Sequence, residues 1–324
     1  GLFTGQVPPG SDQTPSERYR DLLDLGPLLE SAGFDKAWVS EHHFVDDGYL
    51  PSVLPFCAAL GSRTETLTVG TGVALAPFYD SIRVAEDAAT VDLVTGGRSE
   101  AGLAIGWTDE EFEVFDVPKR RRVGYLRELI DVLRAAGGEG AMDYEGKIYQ
   151  YHDVDVRPKP VQDEIPIWIG GTVDAAVERS GRIADGYFAT PTDLDELARR
   201  QRLAVEASGE ESFPIAEWRY TFVSEDGDAW EQMKQHAWHI KRQYIGWATG
   251  EPQPETLPAE MEADLKSECL FGTPAEVREE VERRRDRLGD DYRLCTRMTL
   301  PGMPIADVRE SARLFGSEVV DRID

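Results

Sequence analysis

The stretch GFDKAWVSEHHF, residues 33–44, contains a helix end, a strand and a group of ionisable side chains in close succession. Gly33 follows the amphipathic segment 16–32, and a glycine in that place is typical of a helix C-terminus. The apolar run Ala37-Trp38-Val39 indicates a strand buried on both faces. Glu41-His42-His43 follows at once, and histidine is the side chain whose ordinary pKa lies nearest neutrality. The stretch therefore predicts proton-transfer groups at the carboxyl end of a strand. The simpler alternative is that one ring caps a loop and the other packs.

Strand-like and helix-like segments alternate along most of the chain. The apolar runs suited to buried strands are 2–3, 37–39, 67–75, 101–105, 165–169, 186–189, 218–223 and 295–300. The amphipathic stretches between them are 16–32, 81–93, 124–136, 172–183, 193–207 and 274–287. Eight strands separated by helices predict an α/β protein with a (β/α)8 TIM barrel, formed by residues 1–324 as a single domain. A doubly wound sheet is the alternative, but no early G-x-G-x-x-G supports it.

Two segments are longer than an ordinary connection in such a barrel. Residues 106–123 follow the fourth strand, and residues 225–270 follow the seventh. Long insertions at strand ends commonly form lids or subunit contacts, and we expect 225–270 to be one of these. His236 and His239 have helical i, i+3 spacing that could bind a metal. We expect them to be exposed instead, and we expect no metal site.

The charge balance of the chain is strongly acidic. There are 61 Asp and Glu residues against 35 Lys and Arg, for a net charge of −26. Such a surface repels nucleic acid and anionic membranes, so we expect neither as a partner. It also suggests a halophilic protein whose self-repulsion is screened by salt, with a melting temperature that rises in molar salt. The arginine triplets 120–122 and 283–285 are then better interpreted as ion-pairing helix faces, with Arg122 a candidate for a phosphate contact.

Other features of the chain favour a cytoplasmic location. Three widely spaced cysteines fit a reducing compartment, and no apolar run approaches the ~20 residues of a membrane span. We expect no signal peptide. Because Gly1 lies in a strand-like run, we also expect a few residues to precede it.

Glycines stand at the carboxyl ends of three predicted strands. Gly70-Thr71-Gly72-Val73 and the pair Gly102 and Gly106 would let a flat ring lie against the backbone. Gly170-Gly171-Thr172 ends a strand and opens a helix, where free N–H groups can bind a phosphate. A plain strand–helix turn is the alternative for this last segment.

Several of these stretches together resemble the bacterial luciferase-like flavin-dependent monooxygenases. They are GFDKAW (33–38), EHHF (41–44), TETLTVGT (64–71), AED (85–87), GGR (96–98), GLAIGW (102–107), EF (111–112) and PIWIGGT (166–172). The resemblance covers most of the chain and is densest between residues 33 and 115.

The resemblance implies a reaction in which reduced FMN and O₂ form a flavin peroxide that oxygenates a small organic substrate such as an aldehyde. It makes His42 the catalytic acid or base, supported by Glu41 and His43. It implies a cofactor site made of Thr71, Gly72, Val73, Ala104, Gly106, Trp107, Gly170, Gly171 and Thr172, with a cis bond between Gly72 and Val73. It also implies a separate flavin reductase as partner and a homodimer or higher homo-oligomer.

The chain departs from luciferase itself at one informative place. Luciferase has a cysteine and a phosphate-binding arginine where this chain has Ala104 and Ile105, so we expect no light emission and weaker FMN binding. Three alternatives remain open. One is hydride transfer by the deazaflavin coenzyme F420 on the same barrel, and another is a non-catalytic partner subunit. A metal-dependent barrel hydrolase is the third.

Overall fold

The computed structural model describes residues 1–323 and contains a parallel sheet that is nearly closed into a barrel. Its strands are β1 (Leu2–Phe3), β2 (Lys36–Val39), β3 (Thr68–Thr71), β4 (Ala74–Leu75), β5 (Ser99–Ala104), β6 (Met142–Glu145), β7 (Gln150–Val154), β8 (Ile167–Gly170), β9 (Gly186–Ala189), β10 (Ile215–Val223), β11 (Cys269–Gly272) and β12 (Tyr292–Arg297). Strands β6 and β7 form a separate antiparallel hairpin.

The helices lie between the strands in chain order. They are α1 (Pro15–Ser31), α2 (Val53–Gly61), α3 (Ser81–Thr95), α4 (Asp109–Val114), α5 (Arg122–Gly137), α6 (Asp174–Ile183), α7 (Leu194–Ser208), α8 (Ala229–Thr249), α9 (Glu262–Glu268), α10 (Pro274–Leu288) and α11 (Ile305–Leu314). Capping boxes begin α1 at Thr14 and α10 at Thr273, each followed by a proline, which satisfies N–H groups that the helix itself leaves free. No helix within residues 1–323 is both long enough and apolar enough to cross a membrane.

The order of the strands around the sheet follows the order of the chain. It runs β1-β2-β3-β5-β8-β9-β10, with β12 beside β10, and every pairing among these strands is parallel. The hydroxyl of Thr299 donates to the carbonyl of Leu2 at 3.2 Å, so the end of the ring reaches its beginning. The predicted TIM barrel is confirmed, with its long insertions after the fourth and seventh barrel strands.

Large side chains fill the inside of the barrel. The cluster has one member from each of six strands and consists of Leu2, Trp38, Trp168, Phe188, Ala216 and Cys295. The ring of Trp38 lies edge-on to Trp168 at 5.4 Å and to Phe188 at 4.8 Å. Such close packing makes the barrel a solid core, and open space for chemistry is confined to its ends.

Some elements differ from the sequence prediction. The predicted strand 67–75 is two short strands, β3 and β4, separated at Gly72. The sequence pattern did not predict α2, α11, β11 or the β6–β7 hairpin. Helix α8 occupies the first half of the insertion 225–270.

The expectation that both histidines of α8 are exposed was wrong. His239 is only 9% exposed, and its Nε2 lies 2.8 Å from a carboxylate oxygen of Asp47. His236 is half-buried, with Nδ1 2.8 Å from the carbonyl oxygen of Pro301. The acidic composition suggested a solvated helix, but this face of α8 packs onto the barrel end.

Candidate active site

His42 and Glu111 meet at the carboxyl end of the barrel. His42 follows β2, and Glu111 lies in α4, which follows β5. Nδ1 of His42 is 3.1 Å from Oε1 of Glu111, and the same oxygen accepts the backbone N–H of His43 at 3.0 Å. Burial alone would raise the pKa of Glu111, but hydrogen bonds from His42, Thr108 and the His43 N–H lower it. Because an ionised carboxylate only accepts, it holds the His42 proton on Nδ1 and leaves Nε2 free to exchange a proton.

Glu41 holds the other histidine. Its buried carboxylate lies 2.6 Å from Nε2 of His43 and accepts the Tyr79 hydroxyl at 2.7 Å and the Leu75 N–H at 3.1 Å. Burial, together with the negative charge of Glu41, raises the pKa of Tyr79, so this hydroxyl stays a donor. The predicted trio of Glu41, His42 and His43 thus does not act as one group. Glu41 binds His43, whereas His42 binds Glu111.

The two imidazoles face different surroundings. The ring of His43 lies beside Phe115 at 4.8 Å, next to a cleft of about 210 Å³. The ring of His42 lies among Tyr49 at 4.9 Å, Trp247 at 4.9 Å and Tyr244 at 5.5 Å. Only the His42 side therefore faces the predicted insertion, through two residues of α8.

Trp107 closes the aromatic surroundings of His42. It follows β5, as the predicted cofactor site requires, and its ring stacks on Tyr244 with 6.3 Å between centroids. Trp107 also lies 6.2 Å from Trp247. Helix α8 was predicted only as part of a lid or a subunit contact, and its contribution of Tyr244 and Trp247 to the site was missed.

Small residues lie together at the ends of β3, β5 and β8 and form one surface. The bond between Gly72 and Val73 is cis, as predicted. The Thr71 hydroxyl donates to the Gly102 carbonyl at 2.6 Å, so Thr71 ties two strands together. A Cβ on Gly102 would lie 2.0 Å from the Thr71 carbonyl oxygen, and one on Gly170 would lie 3.1 Å from Val73. No side chain fits at Gly102, and the half-buried Val73 stands above the core between these glycines.

The end of β5 continues this surface. Ala104 is the last residue of β5, and its Cβ is 3.8 Å from where a Cβ of Gly170 would stand. Gly106 has φ +65°, a conformation that favours glycine, and its carbonyl oxygen accepts Nη1 of Arg122 at 3.3 Å.

The predicted phosphate turn joins β8 to α6. Gly170 ends β8, and α6 begins at Asp174, two residues later than predicted. A Cβ on Gly171 would lie 2.5 Å from the Cβ of Ala176, so a glycine is needed for the first turn of α6 to approach. Val173 at the N-cap makes no side-chain hydrogen bond to the helix, which leaves the N-terminal N–H groups available to an anion.

Three arginines of α5 and α6, Arg122, Arg127 and Arg179, lie close enough for their charges to interact. Burial lowers the pKa of Arg179, and the positive charges of Arg127 and Arg122 lower it further. Nε of Arg179 has no hydrogen-bond partner, and none of the three forms an ion pair within residues 1–323. Because β5 and β8 are adjacent, Arg122 at Gly106 lies beside the strand that leads into the turn. An unpaired cationic group in so acidic a chain suits a phosphate, and only Arg122 was foreseen from the sequence.

Comparison with known families agrees with this geometry. The sequence pattern of the luciferase-like monooxygenases matches residues 1–291. This chain belongs to the luciferase-like monooxygenase family. The expected family is therefore confirmed, together with its barrel.

Relatives in the luciferase-like family use more than one cofactor. An F420-dependent glucose-6-phosphate dehydrogenase of Microbacterium testaceum is 34% identical over 192 residues, which are 56% of this chain and 56% of that protein. The match thus spans little more than half the length of that relative.

Two solved structures of the luciferase-like family share the fold. The monooxygenase RslO1 of Streptomyces bottropensis superposes with a TM-score of 0.87 at 22% identity, covering 98% of this chain and 97% of the other. The oxygenating constituent of 3,6-diketocamphane monooxygenase of Pseudomonas putida, solved in complex with FMN, gives a TM-score of 0.79 at 17% identity, covering 100% and 97%.

Proposed function

We propose that this chain is a flavin-dependent monooxygenase that uses reduced FMN and O₂ to oxygenate a small organic substrate. The pairing of His42 with Glu111 inside an aromatic pocket carries the proposal, because it gives the barrel mouth a positioned proton-transfer group. A non-catalytic partner subunit would have no need for an imidazole held in this way.

The side chains present fit a flavin. Val73, Gly102, Ala104 and Gly170 pack closely together, and a flat ring would lie over them beside Trp107. The uncapped N-terminus of α6 and the three arginines would hold its phosphate. When bound, reduced FMN supplies the electrons with which O₂ is activated.

His42 and its neighbours would manage protons and water. With Nδ1 bound to Glu111, Nε2 of His42 would take a proton from the reacting groups or return one to them. Tyr49, Tyr244, Trp247 and Trp107 would exclude water from that position, and we infer that α8 serves as a lid.

Hydride transfer with coenzyme F420 is the second candidate. It is favoured by the 34% identity to an F420-dependent dehydrogenase. The surface of small residues, the N-terminus of α6 and the three arginines suit either coenzyme, since both pair a flat tricyclic ring with a phosphate.

The proposal extends to partners. The Pseudomonas putida protein is named as an oxygenating constituent, which supports a separate reductase that delivers reduced FMN to this chain. We also propose a cytoplasmic homo-oligomer adapted to high salt, in keeping with the net charge of −26.

An anaerobic titration distinguishes the two cofactors. The purified chain is titrated with reduced FMN and, separately, with reduced F420, and binding is followed by absorbance. Monooxygenase function predicts saturable binding of reduced FMN. If reduced F420 bound more tightly than reduced FMN, hydride transfer would be the favoured function. If neither coenzyme bound, both candidate functions would be contradicted.

A further inference from the structure

Arg297 is a buried cation without a carboxylate. It ends β12 at the carboxyl end of the barrel and is 1% exposed. Its Nη2 donates to Oε1 of Gln6 at 3.2 Å and to the Tyr49 hydroxyl at 3.3 Å, and both acceptors are neutral. Nε has no hydrogen-bond partner, and Arg297 forms no ion pair within residues 1–323.

Aromatic rings take the place of a counter-ion around Arg297. The guanidinium carbon lies 5.7 Å from the ring centre of Tyr49 and 5.6 Å from those of Trp218 and Tyr220. Such contacts are attractive but weaker than a buried carboxylate pair, and removing a charge from water costs several kcal/mol. Arg297 therefore has aromatic and neutral partners where a carboxylate would be expected, in a chain that carries 61 Asp and Glu residues.

The nearest charged residues do not form an ion pair with Arg297. Asp47 is separated from Arg297 by the amide of Gln6; its Oδ2 binds Gln6, Gln243 and His239 at 2.8–2.9 Å, and its buried Oδ1 has no hydrogen-bond partner. Arg18 is a second buried cation. Burial lowers the pKa of Arg18 to about 10; Asp21 opposes this effect, and the positive charge of Arg297 adds to it. Arg18 and Arg297 are thus two buried cations whose charges interact, with Asp47 as a buried carboxylate close by.

Tyr49 connects Arg297 to the candidate active site. Its hydroxyl accepts from Arg297, donates to Oγ of Ser40 at 3.0 Å and lies 3.2 Å from the Tyr244 hydroxyl, while its ring packs edge-on against His42 at 4.9 Å. Burial, together with the neighbouring Tyr49, raises the pKa of Tyr244, so this phenol stays protonated and can donate. Since the Tyr49 proton is directed at Ser40, the Tyr244 hydroxyl is the donor available to an anionic oxygen, and the cation behind Tyr49 strengthens the attraction of that position for negative charge.

We propose that the substrate carries an anionic oxygen, a carboxylate or a phenolate, on an aromatic body. The oxygen accepts a hydrogen bond from the Tyr244 hydroxyl, next to Tyr49 on the His42 side, and the ring lies among Trp107, Tyr244 and Trp247. Arg297 is the positioning residue that gives this subsite its preference for negative charge. The inference adds the substrate class to the proposed oxygenase and rests on that function for the identity of the pocket.

Matched ligands test the preference without cofactor or turnover. Binding of benzoate and of its neutral counterpart benzamide is measured by the quenching of tryptophan fluorescence in the full chain. A second pair, 4-nitrophenolate and 4-nitroanisole, separates a phenolate from a carboxylate. We expect at least one anion to bind about tenfold tighter than its neutral partner. Equal binding within both pairs would overturn the proposal.

Variants assign the preference to Arg297. Arg297→Met should bring the affinities of the anion and its neutral partner together, and Arg297→Lys should restore part of the difference. Tyr220→Phe is the matched control, since it removes a hydroxyl beside the same guanidinium and away from His42; its preference should equal that of the wild type. A preference that survives in Arg297→Met would contradict the role of Arg297. If Arg297→Met does not fold, Tyr49→Phe decides, because it removes the link and should weaken anion binding alone.

These results are independent of the cofactor titration. A chain that binds benzoate selectively but neither reduced coenzyme would contradict the proposed reaction while keeping the anion subsite. A chain that binds reduced FMN but shows no charge preference would contradict the anion subsite while keeping the proposed reaction.

Discussion

Oε1 of Glu111 lies 3.1 Å from Nδ1 of His42, although 69 residues separate the two in the chain. Both side chains are buried, and Glu111 is the only carboxylate within residues 1–323 that contacts the His42 ring. The contact gives the two nitrogens of His42 different roles, with Nδ1 fixed and Nε2 free.

Glu111→Gln should slow the reaction and leave the fold intact. The amide can present its N–H to Nδ1, which would favour the wrong His42 tautomer. We expect the rate constant for the reaction of bound reduced FMN with O₂ to fall about 100-fold, measured by stopped-flow absorbance. Glu41→Gln is the matched control, because Glu41 binds the His43 ring, and its effect should be much smaller. Equal effects of the two variants would show that Glu111 does not act through His42.

Glu111 should also make the stability of the chain depend on pH in acid. Its pKa is lowered below the usual 4.5 in the folded state, so the unfolded chain binds the proton more readily. The stabilisation is complete above the unfolded value and is lost as the pH falls through the folded value. Urea unfolding should show a difference between wild type and Glu111→Gln that is constant near neutrality and narrows below about pH 4.5. A difference that widens in acid would contradict the lowered pKa.

Arg179→Met should weaken the binding of FMN and spare that of riboflavin. Both ligands have the same ring, but only FMN carries the phosphate expected between α5 and α6. A lost charge-assisted hydrogen bond should cost about tenfold in FMN affinity, measured by fluorescence titration. Arg182→Met on the same helix removes an arginine that pairs with Glu178, and it should change neither affinity. If Arg179→Met weakened the binding of riboflavin as much as that of FMN, Arg179 would not contact the phosphate.

Gly102→Ala should destabilise the barrel where β3 and β5 end at the candidate site. The new methyl group would lie 2.0 Å from the Thr71 carbonyl oxygen, so a strand must shift. We expect a loss of about 1–3 kcal/mol in the free energy of unfolding, measured in urea. Gly246→Ala is the control: this glycine lies inside α8, its added Cβ would be 3.5 Å from the nearest carbonyl oxygen, and the change should stabilise by about 0.5–1 kcal/mol. If Gly102→Ala left the free energy of unfolding unchanged, the strand ends at Thr71 and Gly102 could shift without cost.

The sequence was sufficient for the barrel because strand burial and helix punctuation are local signals. Ala37-Trp38-Val39 lies in β2, and Thr273 caps α10, as expected from neighbouring residues alone. The glycine at the end of β8 was predicted from its place between a strand and a helix, and the cis bond at Gly72 was foreseen through the family resemblance.

What the sequence could not show are pairings between distant segments. Glu111 stood in a recognised motif, but nothing local indicated that it would reach His42. His239 looked like a solvated residue because its partner Asp47 is 192 residues away. Tyr244, Trp247 and Arg297 lie at the site because the fold brings α8 and β12 to the end of the barrel. The burial and the charged surroundings of these side chains depend on the whole fold.

Mixing bound reduced FMN with O₂ tests the central claim most directly, by comparing wild type with His42→Ala. Both proteins are first saturated anaerobically, which confirms that the variant still binds FMN, and flavin oxidation is then followed by stopped-flow absorbance. We predict equal FMN affinity and a change of about 100-fold or more in the rate constant of at least one oxidation step in the variant. Identical oxidation traces for the two proteins would remove His42 from the mechanism.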